Sequence, residues 1–224
     1  MGALFITATG TDIGKTFVAA GIVRALRARG RPVDALKPVI SGFRMEDAAA
    51  SDAGVLLAAL GRPGSPGEIA RISPWRFEAP LSPDMAARRE GAVLDFDALV
   101  GASHQAIAAA KGALLIEGVG GVMVPLDDRH TVLDWMAALG IPVILVAGSY
   151  LGTISHSLTA LDVLGRRGVA VRATVISESP ASGVGLDETV ETVGRFAGVP
   201  VLGLPRLPEG ATGHAVLERL ADLA

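Results

Sequence analysis

Four short phrases punctuate the chain: "GRPV" (Gly30 to Val33), "GIPV" (Gly140 to Val143), "GVAV" (Gly168 to Val171) and "GVPV" (Gly198 to Val201). Each follows an amphipathic stretch rich in Ala, Leu and Arg and precedes a short apolar run. That is the signature of a helix stopping at a glycine and a buried strand starting just beyond it. The last three phrases recur about every 30 residues, the length of one βα unit rather than of a solenoid repeat. Strands are expected near 3–8, 34–40, 113–117, 142–147, 170–177 and 200–204. Helices are expected near 15–29, 47–60, 94–110, 131–139, 153–167, 185–197 and 213–223. Continuous apolar strands alternating with helices require a mostly parallel sheet covered on both faces. Residues 61–91, rich in Pro and Gly, read as one long irregular stretch, with Trp75, Phe77 and Pro80 suggesting that it packs near a functional face. No second domain is visible, so 1–224 is expected to form a single α/β domain.

Within this frame "TATGTDIGKT" (Thr7 to Thr16) falls between a strand end and a helix start. A phosphate-binding loop reads Gly, four residues, Gly-Lys-Ser/Thr. Gly14, Lys15 and Thr16 are in place, but Thr9 stands where the first glycine belongs. Free N–H groups and the helix dipole favour an anion at such a junction. Gly10 and Gly14 let the loop turn its amides inward, Lys15 can reach terminal phosphates, and the Thr16 hydroxyl can bind Mg²⁺. The alternative is an ordinary glycine-containing loop with a stray Lys-Thr.

Two further residues belong to the same expectation. "GALLIEGVGG" is an apolar strand ending in Glu117, followed by a Gly118-Val119-Gly120-Gly121 turn. A carboxylate at that strand tip faces the same crevice and can complete the oxygen shell of magnesium; otherwise Glu117 is a solvated acid before a turn. In "LKPVISG", Lys37 lies within or at the end of the second strand, where an unpaired ammonium is expensive. Either it points into the crevice and is compensated by anionic oxygens, or it is an edge lysine snorkelling to water. The chain holds only three lysines, Lys15, Lys37 and Lys111, beside many arginines.

Composition excludes several classes. Formal net charge is −3 with no basic stretch, so no nucleic-acid surface is expected. There is no cysteine, so neither disulfides nor thiolate chemistry are available. The longest apolar runs, such as "IPVILVA", are too short to span a bilayer, and "MGALFITATG" lacks the cationic start of a signal peptide. A cytoplasmic protein without membrane contact is expected. The four histidines show no metal-ligand spacing.

The loop, "KPVISG", "SDAG", "EGVGG" and "LGTISH", in this order, with "PWRFEAPLSP" before the second long helix, resemble the dethiobiotin synthetases, P-loop enzymes of biotin synthesis. In that family's register the first loop glycine falls one position earlier, at Ala8, which is tolerable if the backbone there avoids positive φ. The resemblance implies an ATP- and Mg²⁺-dependent ring closure of 7,8-diaminononanoate with CO₂, through a carbamate and its mixed anhydride with phosphate. Lys15 and Lys37 would be catalytic, and Thr16, Asp52 and Glu117 would place the metal. ATP would lie along Asp12, Ile13, Gly14, Lys15, Thr16 and Phe17, with Gly118, Val119 and Gly120 beside it. Its base would meet Ser177, Pro205, Arg206 and Leu207. Thr11, Asp12 and Ser41 would touch the diamine, and Gly152, Thr153 and Ile154 the substrate's distant carboxylate, across the interface of a homodimer. Two departures stand out. Asp12 replaces the glutamate of some members, and Ser177-Glu178 replaces the Asn-Asp that often reads the adenine edge.

Overall fold

The computed structural model describes residues 2–180 and 182–224. Strands β1 (Ala3–Ala8), β2 (Val33–Leu36), β5 (Ala113–Glu117), β6 (Val143–Gly148), β7 (Val171–Ser177) and β8 (Val201–Leu204) form one parallel sheet in the order β2-β5-β1-β6-β7-β8. A second, two-stranded parallel sheet pairs β3 (Val39–Ser41) with β4 (Trp75–Phe77). The connecting helices are α1 (Lys15–Ala28), α2 (Asp52–Leu60), α3 (Pro66–Ile72), α4 (Pro83–Arg89), α5 (Phe96–Ala109), α6 (Val132–Leu139), α7 (Thr153–Arg166), α8 (Leu186–Ala197) and α9 (Ala215–Ala221).

The strands are apolar throughout because both faces are covered. On β6, Ile144 and Val146 pack with α1, α2, α3 and α9, while Val143 and Leu145 pack with residues of α4 to α7. On the second face Trp135 is fully buried, edge-on to Phe5 at a centroid distance of 4.8 Å, and its Nε1 donates to Ser103 Oγ. The four punctuating glycines all take positive φ, between 62° and 71°, which only glycine adopts without strain. Among the described residues no helix is long and apolar enough to cross a membrane.

Three expectations are corrected. The strand expected over 34–40 is two strands in different sheets. Pro38 has no N–H to continue the ladder, Lys37 N donates to Ile72 O, and Pro38 O accepts from Trp75 N, so the chain leaves one sheet and enters the other at Lys37-Pro38. Residues 61–91 are not irregular: they contain α3, β4 and α4. The prolines read as breakers are starters. Pro66 and Pro83 open α3 and α4, where a missing N–H costs nothing, and Ser65 caps α3 by accepting from Glu68 N. The helix expected from 47 begins at Asp52, after a 3₁₀ turn at Met45–Asp47.

Candidate active site

Parallel register brings the carboxyl ends of the strands together: Ile6 lies beside Glu117, Ala8 beside Val146, and Ser177 beside both Gly148 and Leu204. The order reverses around β1, whose successor β2 lies to one side and β6 to the other, so the crevice expected of an open parallel sheet opens here. The loop after β1 runs into α1 through Gly14, at φ 99°. Its glycine is required twice, since a Cβ there would also sit 2.8 Å from Ser177 Oγ. Among the described residues Asp12 is the one non-glycine with positive φ, at 56°, a region that aspartate tolerates. Ala8, the position of the missing glycine, is ordinary buried strand, so alanine fits it without strain.

Lys15 is 6% exposed and its Nζ donates to Gly10 O at 3.0 Å. Burial, with the nearby Lys37 ammonium, pushes its pKa down to about 8, against the opposing pull of Glu117 and Asp52. Lys37 is 2% exposed, which rules out a snorkelling edge lysine, and Glu117 is 1% exposed, which rules out a solvated acid. Lys37 Nζ lies 2.7 Å from Glu117 Oε1, 2.9 Å from Asp52 Oδ2 and 2.8 Å from Gly118 O. Burial alone lowers the Lys37 pKa, but the two carboxylates outweigh it and hold the ammonium charged. For Asp52, burial favours the neutral acid, and Lys37 with Thr16 reverses this, keeping the carboxylate below its usual range. Thr16 Oγ1 is 2.8 Å from Asp52 Oδ1 and 2.7 Å from Glu117 Oε1, so its single proton serves one of them at a time.

This donor set suits a hard cation. Glu117 Oε2 is buried without a hydrogen-bond partner, an expensive arrangement that a cation relieves. Among the described residues no three His, Cys, Asp or Glu side chains group into a metal cage. A cation on Thr16, Asp52 and Glu117 therefore draws further oxygens from its ligand, the habit of Mg²⁺ at phosphate sites.

Two cavities flank the loop. The larger, about 480 Å³, is lined by Thr11, Lys15, Thr16, Lys37, Ser41, Asp52, Val119 and Gly120 among others. The second, about 360 Å³, is lined by Ile13, Ser177, Glu178, Pro205, Arg206 and Leu207 with neighbouring prolines and small residues. Asp12, Gly14 and Phe17 line both, so the two form one cleft. Glu117 and Gly118 line neither cavity themselves, but both bond Lys37 Nζ, which lines the first. Gly152, Thr153 and Ile154 open α7 and line neither cavity; Thr153 Oγ1 donates to Gly148 O, and the neighbouring Leu151 is 90% exposed.

Sequence reasoning missed Ile40, Ala50 and Ser51 in the first cavity, and Ser179, Pro180 and Pro208 in the second. Ser51 had a signal in "SDAG": it caps α2 by accepting from Gly54 N, and a Cβ at Gly54 would lie 2.0 Å from Ala48 O. Glu178 Oε2 accepts from Arg206 N at 2.7 Å, pinning the 205–208 loop to the end of β7.

A Gly-Lys-Thr loop feeding a helix beside an acid on the adjacent strand of a parallel sheet defines a P-loop nucleotide-binding protein. The fold agrees with solved P-loop ATPases. The Pyrococcus furiosus cell division ATPase MinD matches with TM-score 0.57 at 16% identity, covering 99% of this chain and 98% of that one. A ParA family ATPase from Chlorobium tepidum matches at 0.52 and 13% identity, covering 92% and 84%. The sequence profile of a family described as an AAA domain matches residues 2–211. Three proteins named ATP-dependent dethiobiotin synthetase are far more similar. That of Acidiphilium cryptum is 53% identical over 88% of this chain and 89% of its own length. Those of Methylobacterium nodulans and Phenylobacterium zucineum are 51% and 48% identical, covering 92% and 99% of this chain and 94% and 96% of theirs. The chain belongs to the ATP-dependent dethiobiotin synthetase family.

Proposed function

We propose that the chain, acting as one P-loop unit over 1–224, closes 7,8-diaminononanoate and CO₂ into dethiobiotin, with ATP converted to ADP and phosphate. The observation that carries this reading is the meeting of two buried ammonium groups, Lys15 and Lys37, with the oxygens of Thr16, Asp52 and Glu117 at one crevice. Carbamate and triphosphate are both anions, and their in-line approach needs concentrated positive charge in a site that shields it from water. One substrate amine adds to CO₂, losing a proton, to give the carbamate. A carbamate oxygen attacks the γ-phosphorus and ADP leaves. The second amine then attacks the carbamoyl carbon, forming the cyclic urea as phosphate departs.

In this reaction the amides of Asp12 to Phe17 hold the triphosphate, Lys15 neutralises its end, and Lys37 supports the oxygen shared by carbamate and phosphate. Thr11, Asp12 and Ser41, on the wall of the larger cavity, orient the diamine. Thr16, Asp52 and Glu117 would hold Mg²⁺, which when bound screens the phosphate charge. The Gly118 to Gly120 turn lets the backbone approach the phosphates. Ile13, Ser177, Pro205, Arg206 and Leu207 enclose the base in the second cavity. No covalent protein nucleophile is required. The amides at the start of α7, a helix of 14 residues, suit a carboxylate, yet they open outside both cavities. We therefore place Gly152, Thr153 and Ile154 against the substrate of a second copy, in a cytoplasmic homodimer. The test is phosphate release from ATP and bicarbonate with and without 7,8-diaminononanoate. Release that depends on the diamine supports the synthetase, and release that ignores it overturns it; sedimentation reports the dimer.

A further inference from the structure

Lys37 Nζ donates hydrogen bonds to Glu117 Oε1 and Gly118 O and is ion-paired with Asp52 Oδ2 at 2.9 Å. Held by two carboxylates and a carbonyl, it reaches a substrate oxygen in the cavity only by loosening this grip. The carboxylates are engaged as well: Asp52 Oδ1 and Glu117 Oε1 compete for the Thr16 proton, Lys37 lies against Glu117 Oε1 and Asp52 Oδ2, and Glu117 Oε2 has no partner. A divalent cation on Asp52 and Glu117 competes with Lys37 for the same negative charge, and at contact distance it repels the ammonium strongly.

We propose that Lys37 and a divalent cation are alternative occupants of the Asp52–Glu117 pair, so that loading the cation drives the ammonium off the carboxylates and into the larger cavity. Before loading, Lys37 keeps buried Glu117 and half-exposed Asp52 from facing each other uncompensated. After loading, the same group is delivered to the place where the anions react. The exchange needs no backbone motion. Lys37 N is fixed to Ile72 O at 2.9 Å and Pro38 O holds Trp75 N at 3.0 Å, so only the side chain moves. Its use in catalysis rests on the dethiobiotin synthetase reading; the exchange itself does not. Lys15 supplies the contrast, because its Nζ bonds Gly10 O and neither carboxylate.

The probe is Mn²⁺ without nucleotide, with free Mn²⁺ followed by electron paramagnetic resonance. Lys37→Met is expected to bind Mn²⁺ about tenfold more tightly than the unaltered chain, and Lys15→Met less than about threefold more tightly, as only the first vacates shared oxygens. No gain in Lys37→Met, or equal gains in both variants, overturns the proposal. Because unfolding of Lys37→Met would also abolish Mn²⁺ binding, a second measurement uses the unaltered chain. Its three lysines are acylated with an amine-reactive ester and read by mass spectrometry, with exposed Lys111 as internal reference. Saturating Mn²⁺ is expected to raise labelling of Lys37 relative to Lys111 by about tenfold, as a buried paired amine becomes accessible. A ratio that does not change overturns the exchange. Neither readout uses the diamine, so the exchange stands or falls separately from diamine-dependent phosphate release.

Discussion

The two halves of the cleft share a loop and little else. The larger cavity is built from charge: two buried ammonium groups and two carboxylates, each oriented by at least one partner at 3.0 Å or less. The smaller is built from prolines, hydroxyls and main chain, and its one acid that bonds within it, Glu178, spends an oxygen on a backbone N–H. The chain contains no asparagine, and its single glutamine, Gln105, lies on α5, outside the cavity. No side-chain amide is therefore present to read a base edge by paired donor and acceptor. Buried charge makes strong, geometrically fixed demands and surface hydroxyls make weak ones. The cavity proposed for phosphate is specified atom by atom, while the cavity proposed for the base is specified mainly by shape.

Four experiments bear on that contrast, in falling order of effect. Lys37→Ala is expected to reduce turnover by about 10²–10³-fold or more, the loss seen when a charge-stabilising donor is removed, while ATP affinity in calorimetry stays within about threefold. Loss of ATP binding in this variant would show that the halves are not separable. Gly14→Ala attacks the shared loop. Positive φ and the clash with Ser177 Oγ cost about 1–3 kcal/mol, expected as an ATP affinity at least about fivefold weaker, and unchanged affinity would show the loop to be softer than its geometry. The Lys15 pKa near 8 sets a pH response. A bound phosphate raises that pKa, so binding takes up a proton once the free amine is neutral. ATP affinity is thus flat below pH 8 and falls by up to about tenfold per unit above it, and Lys15→Arg removes the bend. Ser177→Ala is the smallest. It should change ATP affinity less than about threefold and leave the ratio of ATP to GTP affinity near its original value, since the hydroxyl contributes one weak contact at most. A tenfold change would place base selection on this hydroxyl after all.

The same contrast explains what the sequence disclosed. Lys37 and Glu117 were legible because a charge at the end of an apolar run must have a reason, and the structure supplies it in the pair they form. Gly-Lys-Thr was legible because its spacing answers to phosphate geometry. The punctuating glycines were legible because a helix end with positive φ has one common solution. Segment 61–91 was misread because proline is ambiguous: it stops a helix from within and starts one at its first position, and only the neighbouring Ser65 distinguishes the cases at α3. The splitting of β2 from β3 turned on Pro38, which an apolar run of strand length conceals. Ser179 and Pro208 carry no local pattern. They enter the cleft only because β7 and β8 run side by side, a fact of topology rather than of any short stretch.

The chain's two tryptophans divide between the interior and its margin. Trp135 is sealed against Phe5 with its indole N–H already satisfied, so its emission has no reason to change on titration. Trp75 is half-buried, paired with Val39 in the small sheet and packed at the margin of that same core. The protein thus carries a sealed lamp and a half-open one in one spectrum, and loosening of the interior can be told from changes at its margin without attaching a dye.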